Sequence, residues 1–298
     1  MAQTPSPVRA RRVADGLVFP EGPAVLDDGS VAFVEVNRSQ VSIWEEGGGV
    51  RRLADTGGGP NSCCLGSDGC LYVTQNRGLV GSWRADRVQP GCIQRVSMDG
   101  RVEILITEVD GIALRQPNDL AWGPDGSLCF TDPGYFDLDT QPDAGRLFFV
   151  HPDGSGELLV ELENTYPNGI AVEPDGSVIW SESYTRRVCR RRPDGRIDTL
   201  PTIERPESVP DGMAVSADGT IFLAVLFAGG IQLLGPDGRA RGALSVGAVN
   251  SNCTFSGTTL YVTDFGTNPV VGSAEPLGAL WRVELEQPGL EPFRGRLS

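Results

Sequence analysis

A ten-residue phrase that recurs along the chain limits the fold more than any other feature. Its fullest form is Pro117-Asn118-Asp119-Leu120-Ala121-Trp122-Gly123-Pro124-Asp125-Gly126, an Asn at the mouth of a short strand followed by an Asp-Gly turn. Pro20-Glu21 leads to Asp28-Gly29, Pro60-Asn61 to Asp68-Gly69, Pro167-Asn168 to Asp175-Gly176, and Pro210-Asp211 to Asp218-Gly219. In these five copies the offset from the Glu, Asn or Asp to the turn Asp is 7. A shorter sixth copy joins Ser251-Asn252 to Ser256-Gly257 with an offset of 4. The polar residues fall at 21, 61, 118, 168, 211 and 252, at intervals of 40, 57, 50, 43 and 41. A repeat of this length carrying several short strands is the mark of a propeller blade.

Each unit reads the same way. A short strand starts at the polar residue, and an Asp-Gly hairpin of the type I′ kind reverses it. A strongly β-prone run follows: Ser30–Val36, Cys70–Gln75, Ser127–Thr131, Ser177–Ser181, Thr220–Leu226 and Thr259–Thr263. Third strands are expected near Val41–Glu45, Gly91–Ser97, Gly145–His151, Arg187–Arg192, Gly230–Leu234 and Ala279–Glu284, and fourth strands in the first five units. The N-terminal segment Val8–Val18 is expected to complete the sixth blade and so remove an open sheet edge. The reading is an all-β, six-bladed propeller with a metal site in its central channel, one domain over residues 1–298.

Composition removes several chemistries. There is no Lys, so a P-loop and Schiff-base catalysis are excluded; the one His, His151, argues against His-rich zinc sites and a Ser-His-Asp mechanism. The seven Cys lack CxxC spacing and read as small buried apolar residues. A net charge of −14 argues against a nucleic-acid or anionic-membrane partner. No apolar run follows the basic N-terminal residues, and Phe222–Ile231 is too short to span a bilayer, so a cytoplasmic protein is expected.

If each polar residue opens the innermost strand of its blade, Glu21, Asn61, Asn118, Asn168, Asp211 and Asn252 stand at one height around one axis. Two carboxylates and four amides form a hard-oxygen set suited to Ca²⁺, Mg²⁺ or Mn²⁺. The plain alternative is that Pro-Asn and Pro-Asp merely begin turns, but varied polar types held in one register suggest a shared ligand. Strand alternation would turn Asp119 off the axis. The second strands return to the ring face, which puts Asp132 to Tyr135, Phe227 and Asp264 around the pocket, with segments 77–90 and 134–144 as candidate lids.

These motifs resemble the senescence-marker-protein (regucalcin), gluconolactonase and luciferin-regenerating-enzyme family. The resemblance covers nearly the whole chain and rests on Glu21-Gly22-Pro23, Pro117-Asn118-Asp119 with Phe130-Thr131-Asp132-Pro133, Pro167-Asn168-Gly169 and Pro210-Asp211-Gly212. It implies one divalent cation, Ca²⁺ first with Mg²⁺, Mn²⁺ or Zn²⁺ as alternatives, held by Glu21, Asn168 and Asp211. It implies Asp211 as the proton acceptor and donor, and hydrolysis of a small-molecule lactone, often a sugar lactone. Asn118, Arg115 and Asn61 are expected to orient substrate, with Asp132 and Tyr135 beside it. The chain departs from regucalcin-type members at Gln116, where they carry Arg, and at Phe136, where they carry Glu. Phe136 and Phe227 would suit a less polar lactone. A phosphotriesterase-like hydrolase at the same metal and a non-enzymatic metal-binding propeller are the competing readings.

Overall fold

The computed structural model of the protein describes residues 9–201, 208–267 and 275–298. Six four-stranded antiparallel sheets stand as blades around a central channel. The innermost strands are Pro20–Val25, Pro60–Leu65, Leu120–Trp122, Pro167–Val172, Val209–Val215 and Asn250–Ser256. The second strands, such as Val31–Glu35, Leu71–Gln75, Leu128–Asp132 and Val178–Glu182, are buried along their whole length. A strand packed on both faces needs a continuous apolar run, and this is why these stretches show no alternation. The outermost strands face water, as in Gly49–Asp55. The core lies between blades: Val34, Val41 and Ile43 of the first pack with Cys63, Leu65 and Val73 of the second.

The ring closes as the sequence predicts. Arg9–Leu17 pairs antiparallel with Gly278–Glu284, from Arg9 opposite Glu284 to Leu17 opposite Gly278. Val8 lies outside the described residues. The seven Cys are all unpaired, and all but Cys64 are buried. Among the described residues no helix is long and apolar enough to cross a membrane.

The Asp-Gly turns differ from the type I′ expectation. In the first, the Gly29 N–H donates to Leu26 O (3.0 Å), and the Leu26 N–H to Ser30 O (2.9 Å). Only Gly29 is left-handed, at φ 83°, and the same holds for Gly69, Gly126, Gly176 and Gly219. This is a type I turn closed by a left-handed glycine. It spares Asp a positive φ and frees its carboxylate to accept the Ser30 N–H at 2.9 Å.

A second device ties blade to blade. The Thr131 hydroxyl accepts the Asp119 N–H of its own blade (3.1 Å) and donates to Asn168 O of the next (2.7 Å). Ser181 likewise accepts the Gly169 N–H (2.9 Å) and donates to Asp211 O (2.8 Å). Thr74 joins Ser62 N to Asn118 O in the same way. The backbone under Asn118, Asn168 and Asp211 is therefore fixed by the preceding blade. Thr131→Val, which keeps the shape and removes the hydroxyl, leaves two buried backbone groups unpaired. It is expected to destabilise the fold by about 1–3 kcal/mol in urea unfolding. An unchanged midpoint would show that the clamp contributes nothing.

Candidate functional site

Register explains how one short phrase makes a ring. Pro20, Pro60, Pro167 and Pro210 pair with Glu35, Gln75, Glu182 and Val225. Directly afterwards, three residues of the inner strand span two of its partner, as between Pro60 and Cys63. This is a β-bulge, and it breaks the alternation that would otherwise send successive side chains to opposite faces. Two successive residues in each blade therefore meet the channel, in two storeys. The upper holds Glu21, Asn61, Asn118, Asn168 and Asp211, and the lower holds Gly22, Ser62, Asp119, Gly169 and Gly212.

Blade six corrects the sequence reading by one position. Asn250 pairs with Asp264, where the other blades have their Pro, and the bulge falls between Asn250 and Asn252. The sixth member of the upper storey is therefore Ser251, whose hydroxyl donates to Pro20 O at 2.9 Å. Asn252 takes the lower register position, where its amide donates to Asp119 Oδ2 at 3.3 Å, and its side chain also hydrogen-bonds Glu21 as the ring reading expects.

Asp119 is a second correction. The bulge turns it into the channel, not off the axis. Its carboxylate accepts the Ser62 hydroxyl (2.5 Å), the Leu120 N–H (3.0 Å), the Ile170 N–H (3.3 Å) and the Asn252 amide. One side chain of the third blade thus holds blades two, four and six. The three glycines complete the layer. A Cβ on Gly22 would collide with Ser62, one on Gly212 with Asn252, and one on Gly169 with the Asp211 carbonyl. The lower storey is a close-packed septum across the channel.

On the turn side of the septum lies a cavity of about 620 Å³, walled by the inner strands and by Pro288–Arg294. That C-terminal segment crosses the turn face. Gly289 N–H donates to Gly257 O (2.8 Å), Leu290 N–H to Val215 O (2.9 Å), and Ser67 N–H to Gly295 O (2.8 Å). Arg294 pairs with Asp27.

Above the septum the electrostatics are those of crowded, buried like charge. Glu21 and Asp211 are each 5% exposed, and Asn118 and Asn168 each 6%. Burial raises the Glu21 pKa well above the usual carboxylate range, and the charges of Asp211 and Asp119 raise it further. Burial and then Asp119 raise Asp211, against a hydrogen bond from Asn168. Asp119 itself is raised by burial despite its four donors. Among the described residues no three His, Cys, Asp or Glu side chains make a cation cage by themselves. The donor set that fits a hard divalent cation is mixed: two carboxylates that need a positive charge and an adjacent amide oxygen.

The other expected site residues are engaged locally. Both Asp132 oxygens accept backbone N–H groups, from Arg115 (2.9 Å) and Gln116 (2.7 Å). Asp264 does the same for Ala248 and Val249, and one Glu35 oxygen accepts the Val18 N–H. The guanidinium of Arg115 binds Ala144 O and lies 3.4 Å from Asp143. The Tyr135 hydroxyl donates to Gly81 O (3.1 Å), so it joins segments 77–90 and 134–144. Asn61 Oδ1 accepts the Asn76 amide at 3.2 Å. His151 stands at the outer end of its blade beside Ser127, 3.4 Å away. Phe227 is 50% exposed just after the second strand of blade five.

Tyr166 was not anticipated from the sequence. Its hydroxyl lies 3.5 Å from the Asn118 amide nitrogen, and the charges of Asp211 and Glu21 act on it. It holds φ 53°, an unusual conformation for a bulky residue. The available signal is an aromatic residue directly before a ring Pro. Phe19 repeats it before Pro20, at φ 52°.

A family profile for the SMP-30/gluconolactonase/LRE-like region matches residues 19–265. A gluconolactonase from Zymomonas mobilis subsp. mobilis is 25% identical over 194 residues, which is 58% of this chain and 51% of that one. The chain thus spans about half the length of this curated relative. The structure of a gluconolactonase from Xanthomonas campestris superposes with a TM-score of 0.73 at 23% identity, over 93% of this chain and 90% of the other. A calcium-binding protein, regucalcin, from Agrobacterium tumefaciens superposes with a TM-score of 0.74 at 18% identity, over 96% and 97%. At these identities the two superpositions establish the shared fold.

Proposed function

This chain belongs to the SMP-30/gluconolactonase/LRE-like family, and from that premise we propose that it is a divalent-cation-dependent lactonase. The observation that carries the reading is the pair Glu21 and Asp211, both buried in the channel, with Asn168 hydrogen-bonded to Asp211; burial raises both carboxyls, and the Asp211 charge raises Glu21 further, so the pair needs a positive neighbour. Oxygens of Glu21, Asn168 and Asp211 would hold the cation. When bound, such an ion supplies Lewis acidity to the lactone carbonyl oxygen. Ca²⁺ suits an all-oxygen donor set.

The chain's own groups do the rest. The Asn118 amide donates to the carbonyl oxygen and fixes the ester beside Asp211. The Asp211 carboxylate takes a proton from the attacking water as the new C–O bond forms. The ring C–O bond then breaks, and the Asp211 carboxyl returns that proton to the leaving alkoxide, which yields the hydroxy acid. Asp132 acts through the backbone of residues 115–116, as a positioning residue ahead of Asn118.

Chelated protein is expected to lose hydrolysis across a panel of five- and six-membered lactones and to regain it when Ca²⁺ is added back. The cation should also stabilise the fold, by about 2.7 kcal/mol at a hundredfold excess over its Kd. This gain is read as a rise in Tm. Hydrolysis that persists in chelator, with no stabilisation by any divalent cation, would end this reading.

A further inference from the structure

We infer that the preferred substrate is a lactone bearing an alkyl or aryl group, seated on an aromatic subsite beside Asn118, and not a polyhydroxylated sugar lactone. This rests on the lactonase reading. The subsite is built from Phe136, Tyr166 and Tyr184. The Phe136 ring lies 4.8 Å from Tyr166 and 5.7 Å from Tyr184, and the two tyrosines are 5.2 Å apart. Tyr166 connects this cluster to the ring through its hydroxyl beside Asn118. It does so from a left-handed backbone conformation that a bulky residue holds only where its surroundings enforce it. Phe136 is partly exposed, so one side of the cluster remains open. The Asp137 N–H donates to the Tyr184 hydroxyl at 2.8 Å and pins the segment that carries Phe136.

Three of the polar groups expected near substrate are turned to other tasks. The Arg115 guanidinium is held by Ala144 and Asp143, the Asp132 carboxylate by backbone N–H groups, and the Tyr135 hydroxyl by Gly81. Hydroxyls pressed against aromatic faces without partners lose their hydrogen bonds to water. An alkyl or aryl group on the same faces gains by leaving water.

The test compares glucono-δ-lactone with 6-pentyl-δ-valerolactone, which share a six-membered ester ring, on cation-loaded protein. A single methylene changes specificity about 10- to 200-fold, so kcat/KM should favour the alkyl lactone by at least ~10-fold. Phe136→Ser should remove that preference, mainly through a raised KM for the alkyl lactone. Equal or higher kcat/KM for glucono-δ-lactone, or equal losses on both substrates in F136S, would overturn the inference. If neither lactone is hydrolysed, the lactonase reading fails, and calorimetry with the unreactive lactams still decides the subsite. Tighter binding of 6-pentyl-2-piperidone than of gluconolactam upholds it, and equal or weaker binding overturns it.

Discussion

Asp211→Asn is expected to lower kcat for lactone hydrolysis about 100- to 10,000-fold, the range associated with losing a general base. The substitution keeps the shape of the side chain and removes its ability to take a proton. Asp211 is also a proposed cation ligand, so rates should be compared at saturating Ca²⁺, which separates weakened binding from lost chemistry. Stability provides the control. Asp211 is raised by burial and by Asp119, and it in turn raises Glu21. A neutral amide relieves that repulsion, so cation-free D211N should be at least as stable as the parent. A variant that keeps full turnover would remove Asp211 from the mechanism. One that loses turnover only by unfolding would leave its role to the neighbours.

Gly22→Ala should produce the largest loss of stability among single methyl additions to the channel. Two penalties coincide there. Gly22 has φ 43°, and its added Cβ would meet both the Cα and the side chain of Ser62. A left-handed Ala costs about 1–2 kcal/mol, and overpacking a filled site a further ~1–3 kcal/mol. Together they should lower Tm by roughly 5–10 °C for a chain of this size. Gly29→Ala is the matched comparison: φ is 83°, but the Cβ would point into open space. If G22A loses no more than G29A, the septum is looser than its geometry indicates. A large excess would locate the strain beside Glu21, whose carboxylate accepts the Gly22 N–H at 3.0 Å.

The repeat was legible because Pro, a polar residue and Asp-Gly recur at a fixed spacing. That spacing gave the blades, the ring and the closing strand. It failed by one residue in blade six, where no Pro marks the register and Asn250 fills its place opposite Asp264. It also missed the bulge, because strand alternation is a rule for unbroken ladders. Asp119 was therefore sent away from an axis on which it is central. The type I turns were missed for a similar reason: Asp-Gly fits both turn kinds, and only backbone angles distinguish them. The C-terminal strap was illegible because its bonds run to Gly257, Val215 and Ser67, which are distant in sequence and share no pattern with it. Tyr166 left a faint trace, an aromatic residue ahead of a ring Pro, visible once Phe19 is set beside it.

The septum of Gly22, Ser62, Asp119, Gly169, Gly212 and Asn252 makes the channel a cul-de-sac. A molecule bound above it departs by the door through which it came. For a lactonase, the hydroxy acid must vacate before the next lactone enters, so the product competes with substrate for one vestibule. Turnover at high product concentration is then governed by traffic through a single opening.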